Sequence, residues 1–138
     1  MMPVILLSVL FLPFVLWPVE KLLPFPFLVE ELVKVIYILL IIKEEEATKE
    51  RLISATVVGV LFALSESFFF LLNIQAVGTP STLVTRLVLT LPLHVVTTVL
   101  IMLPTLLNKK LIILGFILAA TLHFLFNMGV TKLANGPF

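Results

Sequence analysis

The chain has 138 residues, 61% of them hydrophobic and 12% charged, and a mean hydropathy of +1.26. A typical soluble domain is roughly 45–50% apolar and about 25% charged, so this composition excludes a soluble globular enzyme and a disordered tail. A net charge of +1 excludes a nucleic-acid binder, and the absence of cysteine excludes disulfides and thiolate chemistry, which leaves a small polytopic membrane protein.

Charged residues divide the chain into five apolar segments, each close to the length of about 20 residues that a helix needs to cross a bilayer. The predicted spans cover 3–19, 25–42, 52–74, 82–107 and 111–130. Pro24 and Pro26 predict a tight turn after the first span, and the run Gly78-Thr79-Pro80-Ser81 predicts another after the third. The apolar runs are continuous, which argues against a β-barrel. We therefore predict an all-α membrane helix bundle in which residues 1–138 form a single transmembrane domain.

The lysine and arginine residues between the spans predict the orientation of the bundle in the cell membrane. Five of them follow the second and fourth spans, namely Lys43, Lys49, Arg51, Lys109 and Lys110. The opposite side has Lys21 and Lys132, with Arg86 as an interface anchor. Basic residues accumulate in cytoplasmic loops, so we predict a cytoplasmic N-terminus and an extracytoplasmic C-terminus. The first span lacks a basic n-region and an Ala-x-Ala-like cleavage site, which favours a retained helix over a signal peptide.

Polar side chains interrupt four of the five spans, although an ionisable group inside a membrane is unfavourable by a few kcal/mol and usually marks function. They are Glu30, Glu31 and Lys34 in the second span, Glu66 in the third, His94 in the fourth, and His123 with Asn127 in the fifth. In each span, thirteen to fifteen residues separate the first of these groups from the cytoplasmic end. At 1.5 Å per residue these four groups, Glu30, Glu66, His94 and His123, lie roughly 20–22 Å above the inner surface. We therefore predict one polar layer in the outer half of the membrane.

The composition of this layer suits the activation of water. A carboxylate can act as a general base, and a histidine or asparagine can stabilise a developing oxyanion. The same carboxylate and imidazole groups can instead hold Zn²⁺ in an open catalytic site. Lys34 shares a helix face with Glu30 at i,i+4 and with Glu31 at i,i+3, so it lies one turn from them along the same wall.

Four short motifs lie on successive spans in a fixed order. They are Glu30-Glu31-Leu32-Val33-Lys34, Phe62-Ala63-Leu64-Ser65-Glu66, Pro92-Leu93-His94 and His123-Phe124-Leu125-Phe126-Asn127. Over about 25–130 this order resembles the PrsW family of intramembrane metalloproteases, which are related to the type II CAAX-processing proteases. The family pattern is E-E-x-x-K, F-x-x-x-E, a histidine, and H-x-x-x-N. Lys34 and Glu66 are similar to PrsW, whereas arginine and histidine at these places would suggest the CAAX-processing branch.

The resemblance implies that the chain is an intramembrane endopeptidase. Its substrate would be a membrane-anchored protein, cut in or near the membrane segment on the extracytoplasmic side. Glu30 or Glu31 would activate the attacking water, and Lys34 would pair with a carboxylate and hold it in its ionised form. Glu66 and His94 would bind that water or a metal.

The resemblance also implies roles for the fifth span. His123 and Asn127 would ligate a metal or stabilise the oxyanion. If a metal is bound, Zn²⁺ is the expected ion, and its ligands would be Glu66, His94 and His123.

Three alternatives to proteolysis fit the same residues. The first is a non-catalytic membrane scaffold on the same fold, and the second is a proton or metal transporter, in which intramembrane glutamate and histidine act as relays. The third is haem ligation by His94 and His123. Gly115 and Ala119 form a small-x-x-x-small pair that predicts a close helix contact, either within the bundle or between protomers, so the oligomeric state stays open.

Overall fold

The computed structural model describes residues 2–77 and 80–134 as helices joined by short connections. The elements are α1 (Met2–Ser8), a 3-10 turn (Val9–Phe11), α2 (Leu12–Glu20), α3 (Pro26–Glu44), α4 (Thr48–Val77), α5 (Pro80–Leu107), a second 3-10 turn (Lys109–Leu111) and α6 (Ile112–Ala134). This all-helical architecture confirms the predicted polytopic helix bundle. Residues 78–79 of the predicted turn and the side chains of Arg86 and Lys132 lie outside the described part of the chain.

Four helical segments within the described ranges are long and apolar enough to cross a membrane. They are Met2–Val19, Thr48–Phe68, Leu87–Leu107 and Lys109–Val130, and they coincide with the first, third, fourth and fifth predicted spans. The second predicted span corresponds to α3, whose 19 residues extend about 28 Å at 1.5 Å per residue. Glu30, Glu31 and Lys34 distinguish α3 from the four apolar segments, so its position across the membrane stays a prediction.

The first predicted span is not one continuous helix. Pro13 has no N–H group for the carbonyl of Val9, and that carbonyl accepts the N–H of Leu12 instead, which closes the tighter 3-10 turn. The neighbouring carbonyl of Leu10 accepts a hydrogen bond from the Ser65 hydroxyl of α4. Val9 itself is fully buried. The interruption therefore packs the first span against the helix that carries Glu66.

Two glycines set the distances between the three longest helices. A Cβ atom at Gly59 of α4 would lie 2.7 Å from Val95 Cα and 2.8 Å from the carbonyl oxygen of His94 in α5. A Cβ atom at Gly115 of α6 would lie 2.7 Å from the carbonyl oxygen of Ile101 in α5. The predicted close contact at Gly115 is thus an interface within the bundle. These contacts hold α5, and with it His94, against both neighbours.

Replacing Gly59 by alanine is expected to lower stability, because the added methyl group meets backbone atoms that cannot rotate away. Overpacking of this kind destabilises proteins by about 1–3 kcal/mol. Gly129→Ala is the matched control, since beyond its own helix turn no atom of the described residues lies within 4 Å of a Cβ atom at that position. The control is expected to be neutral or to gain up to about 1 kcal/mol from the better helix propensity of alanine. Unfolding midpoints in detergent measure both effects, and equal midpoints for the two variants would contradict the close crossing.

Candidate active site

A buried lysine lies at the centre of the polar layer. The ammonium group of Lys34 donates hydrogen bonds to Glu31 Oε1 at 2.7 Å, to His94 Nδ1 at 2.9 Å and to Thr97 Oγ1 at 2.9 Å. These three bonds use all the protons of the ammonium group. The side chains of Lys34 and Glu31 are fully buried, so each charge depends on the other for compensation. The ammonium group also lies 5.1 Å from the centre of the Phe62 ring. The expected pairing of Lys34 with a carboxylate is confirmed, and Glu31 is its partner.

His94 connects this lysine to the carboxylate of Glu66. An ammonium group can only donate, so His94 Nδ1 must accept, and the ring proton lies on Nε2. Nε2 donates to Glu66 Oε2 at 2.6 Å. The ring packs on Phe62 with centroids 5.0 Å apart. Both ring nitrogens of His94 are therefore engaged by protein groups, and the imidazole orients the Glu66 carboxylate.

His123 is oriented by the same oxygen of Glu31 that accepts from Lys34. His123 Nδ1 lies 2.7 Å from Glu31 Oε1, and because a carboxylate accepts, Nδ1 is the donor. This bond turns Nε2 toward Glu30, whose Oε2 is 3.8 Å away. The ring meets that of His94 edge-on at 5.6 Å between centroids. Glu31 thus bonds both Lys34 and His123 from a fully buried site.

A cavity of about 140 Å³ opens beside these residues. Its polar lining consists of Glu66, Thr90, His94, His123 and Asn127, and the remaining lining residues are apolar. A water molecule needs at least roughly 10–15 Å³, so the cavity has room for water.

The cavity distinguishes the three carboxylates of the layer. Glu66 lines it and has 21% of its side chain exposed, whereas Glu31 is fully buried. Glu30 is 14% exposed, and neither Glu30 nor Glu31 is among the described residues that line the cavity. Glu66 is therefore the carboxylate best placed to contact a substrate or an attacking water.

The arrangement does not fit a metal ion held by Glu66, His94 and His123. Among the described residues, no group of three histidine or acidic side chains is arranged to hold a metal. Coordination through His94 would break its bond to Lys34 or to Glu66. The ammonium group, 2.9 Å from His94 Nδ1, would also repel a divalent cation.

The structure brings the predicted residues together as one connected network. Direct hydrogen bonds link Glu31, Lys34, Glu66, His94 and His123. Of the other two predicted site residues, Glu30 lies beside His123 and Asn127 lines the cavity.

Sequence reasoning missed two threonines that follow His94 on α5. Thr97 accepts from Lys34, and Thr98 donates to the carbonyl oxygen of His94 at 2.6 Å. Their spacing of three and four residues from His94 places them on its helix face, and this was the available signal.

Comparison with known proteins gives one family. The model of the PrsW family intramembrane metalloprotease matches residues 26–138. The matched region contains α3 to α6 and every candidate site residue, and it begins after α2. Neither the curated proteins nor the solved structures include a match to the chain.

Proposed function

Because this chain belongs to the PrsW family of intramembrane metalloproteases, we propose that it hydrolyses a peptide bond in or near the membrane segment of a membrane-anchored protein. The observation that carries the proposal is a single cavity at which the Glu66–His94 pair meets His123 and Asn127. In this proposal residues 1–138 form one membrane domain with a cytoplasmic N-terminus and an extracytoplasmic C-terminus. The cavity then lies in the outer half of the bilayer.

In the proposed reaction Glu66 is the general base. A water in the cavity gives a proton to the Glu66 carboxylate, and its oxygen attacks the carbonyl carbon of the substrate. The bond from His94 Nε2 holds one carboxylate oxygen, which leaves the group in a fixed orientation. The ammonium group of Lys34 donates to Nδ1 of His94 and so keeps the ring proton on Nε2. The expectation that Glu30 or Glu31 is the base thus gives way to Glu66, and Glu30 stays the second candidate.

His123 and Asn127 stabilise the oxyanion of the tetrahedral intermediate. Both line the cavity, and an asparagine amide donates hydrogen bonds of the kind that oxyanion holes use. Protonated His123 would donate from Nε2, with Nδ1 still bonded to Glu31. When the intermediate collapses, the carbon–nitrogen bond breaks and the proton on Glu66 passes to the leaving nitrogen. The products are a carboxylic acid and an amine, and transfer of the acid proton to the amine gives a carboxylate and an ammonium group.

The proposal is tested by reconstituting the purified full chain with a library of tagged single-span membrane proteins. Mass spectrometry then identifies new termini that appear with the wild-type chain. Cuts within or next to the membrane segment support the proposal. If no library member is cut, with or without added Zn²⁺, the scaffold interpretation replaces it.

Metal removal separates the carboxylate mechanism from a zinc site on Glu66, His94 and His123. Because Lys34 and Glu66 engage both nitrogens of His94, we expect elemental analysis to find less than stoichiometric zinc. Cleavage is expected to survive incubation with a chelator. One zinc per chain that is lost in the Glu66→Ala/His123→Ala double variant would instead establish a metal-assisted mechanism.

A further inference from the structure

We propose that an apolar groove between α5 and α6 receives the membrane segment of the substrate. This inference rests on the proposed function and specifies where its substrate docks. The groove has a volume of about 430 Å³ and described walls made only of apolar side chains. Its α5 wall includes Val88, Pro92 and Val96, and its α6 wall includes Leu122 and Phe126.

The groove adjoins the cavity of the candidate active site. Leu89, Leu93 and Phe126 line both spaces, so a chain segment lying in the groove lies beside the cavity that Glu66 and His94 line. The groove itself has no charged or hydrogen-bonding side chain among its described lining residues, and its occupant must therefore be apolar. An apolar segment of another membrane protein meets this requirement and also carries a peptide bond to the cavity.

Pro92 removes one backbone donor from the α5 wall of the groove. Proline has no N–H group, so the carbonyl of Val88 lacks the donor that the fourth residue along supplies elsewhere in a helix. Both residues line the groove, and a helical carbonyl points toward the residue four positions on.

That acceptor fits a substrate whose helix is unwound. Hydrolysis needs access to a backbone carbonyl carbon, so the substrate must lose helical hydrogen bonds at the cleavage site. Each freed N–H group then needs an acceptor, because the hydrocarbon core offers no water. In this proposal the Val88 carbonyl, which has no donor at position 92, accepts one of these N–H groups.

Photo-crosslinking of the full chain in lipid nanodiscs tests the docking site without requiring cleavage. Benzoylphenylalanine replaces Val96 in the groove or Leu103 outside it, two residues of α5 that are 46% and 45% exposed. The probe is a biotinylated peptide of about 20 leucine and alanine residues, long enough to span the bilayer. We expect about tenfold more peptide adduct at position 96 than at position 103. At low peptide concentration this is the ratio expected if the peptide binds the groove with a Kd about tenfold lower than its Kd for the surface around position 103.

Equal yields at the two positions would overturn the proposal, because the peptide would then contact the whole lipid-facing surface alike. Lipid adducts alone at position 96 would overturn it too, since the groove would then be a lipid site. If position 96 captures the peptide but the chain cleaves no protein, the docking site stands and the proposed hydrolysis falls.

A kinetic measurement tests the same groove once a cleaved library member is known. Val96→Trp fills the groove, and we expect kcat/KM to fall about tenfold through KM, the pattern of lost substrate binding. Leu103→Trp is the exposure-matched control and is expected to leave kcat/KM unchanged. Unfolding midpoints must agree between the two variants. An unchanged kcat/KM in Val96→Trp would overturn the proposed docking of substrate in the groove and leave the proposed hydrolysis intact.

Discussion

Glu66→Gln is expected to abolish proteolysis and leave the fold intact. A glutamine cannot take the proton of the attacking water, and loss of a general base lowers rates by about 10²–10⁴-fold. The glutamine oxygen can still accept the hydrogen bond from His94 Nε2, so the network around Lys34 keeps its geometry. The measurement compares kcat on a cleaved library member and the unfolding midpoint of the variant with those of the wild type.

Glu30→Gln is the matched control for this experiment. Glu30 is also partly exposed and lies near His123, but it does not line the cavity among the described residues. We expect the Glu30→Gln variant to keep most of its activity. If Glu30→Gln is inactive and Glu66→Gln is active, the base is Glu30 and the proposed assignment is wrong.

Lys34→Met is expected to produce the largest loss of stability in the bundle. The substitution leaves the fully buried Glu31 without its cation and removes the donors to His94 and Thr97. Removing one partner of a buried ion pair costs about 3–5 kcal/mol. Chemical unfolding in detergent, followed by circular dichroism, measures this loss.

The double variant Glu31→Gln/Lys34→Met tests whether the loss comes from the unbalanced charge. The glutamine oxygen still accepts from His123 Nδ1, and no isolated charge is left at position 31. We therefore expect the double variant to recover a large part of the stability that Lys34→Met loses, because the two changes are coupled. If the double variant loses as much stability as the single variants Glu31→Gln and Lys34→Met lose together, the ion pair is not what stabilises this part of the bundle.

The sequence predicted the polar layer because height in a membrane helix can be counted along the chain. A rise of 1.5 Å per residue placed Glu66, His94 and His123 at one level, and the structure joins them to Glu31 and Lys34. The direction in which a side chain points around the helix axis, relative to the other helices, cannot be counted along the chain in the same way. Successive residues point about 100° apart, so the packing of α3 decided that Glu31, and not Glu30, is fully buried.

The helix ends and the first span show a similar limit. Charged runs predicted where α5 ends and α6 begins, and Asn108 caps the short turn between them by accepting from the N–H of Lys110. The 3-10 turn at Val9–Phe11 was not predicted, because its cause is a proline combined with a contact from another helix. The cavity depends equally on how α5 and α6 pack, so hydropathy alone could not identify Glu66 as its carboxylate.

The placement of a lysine and two glutamates on α3 has a consequence for how the chain enters the membrane. α3 is synthesised early, but the groups that accept from Lys34 on α5 come 60 and 63 residues later, and His123 comes 92 residues after Glu31. A charged residue at the centre of a helix opposes insertion by about 2.5–3.5 kcal/mol on the biological scale. α3 is therefore expected to partition poorly into lipid until α5 and α6 have left the ribosome. Assembly of this polar network and membrane integration of α3 are then expected to be the same event.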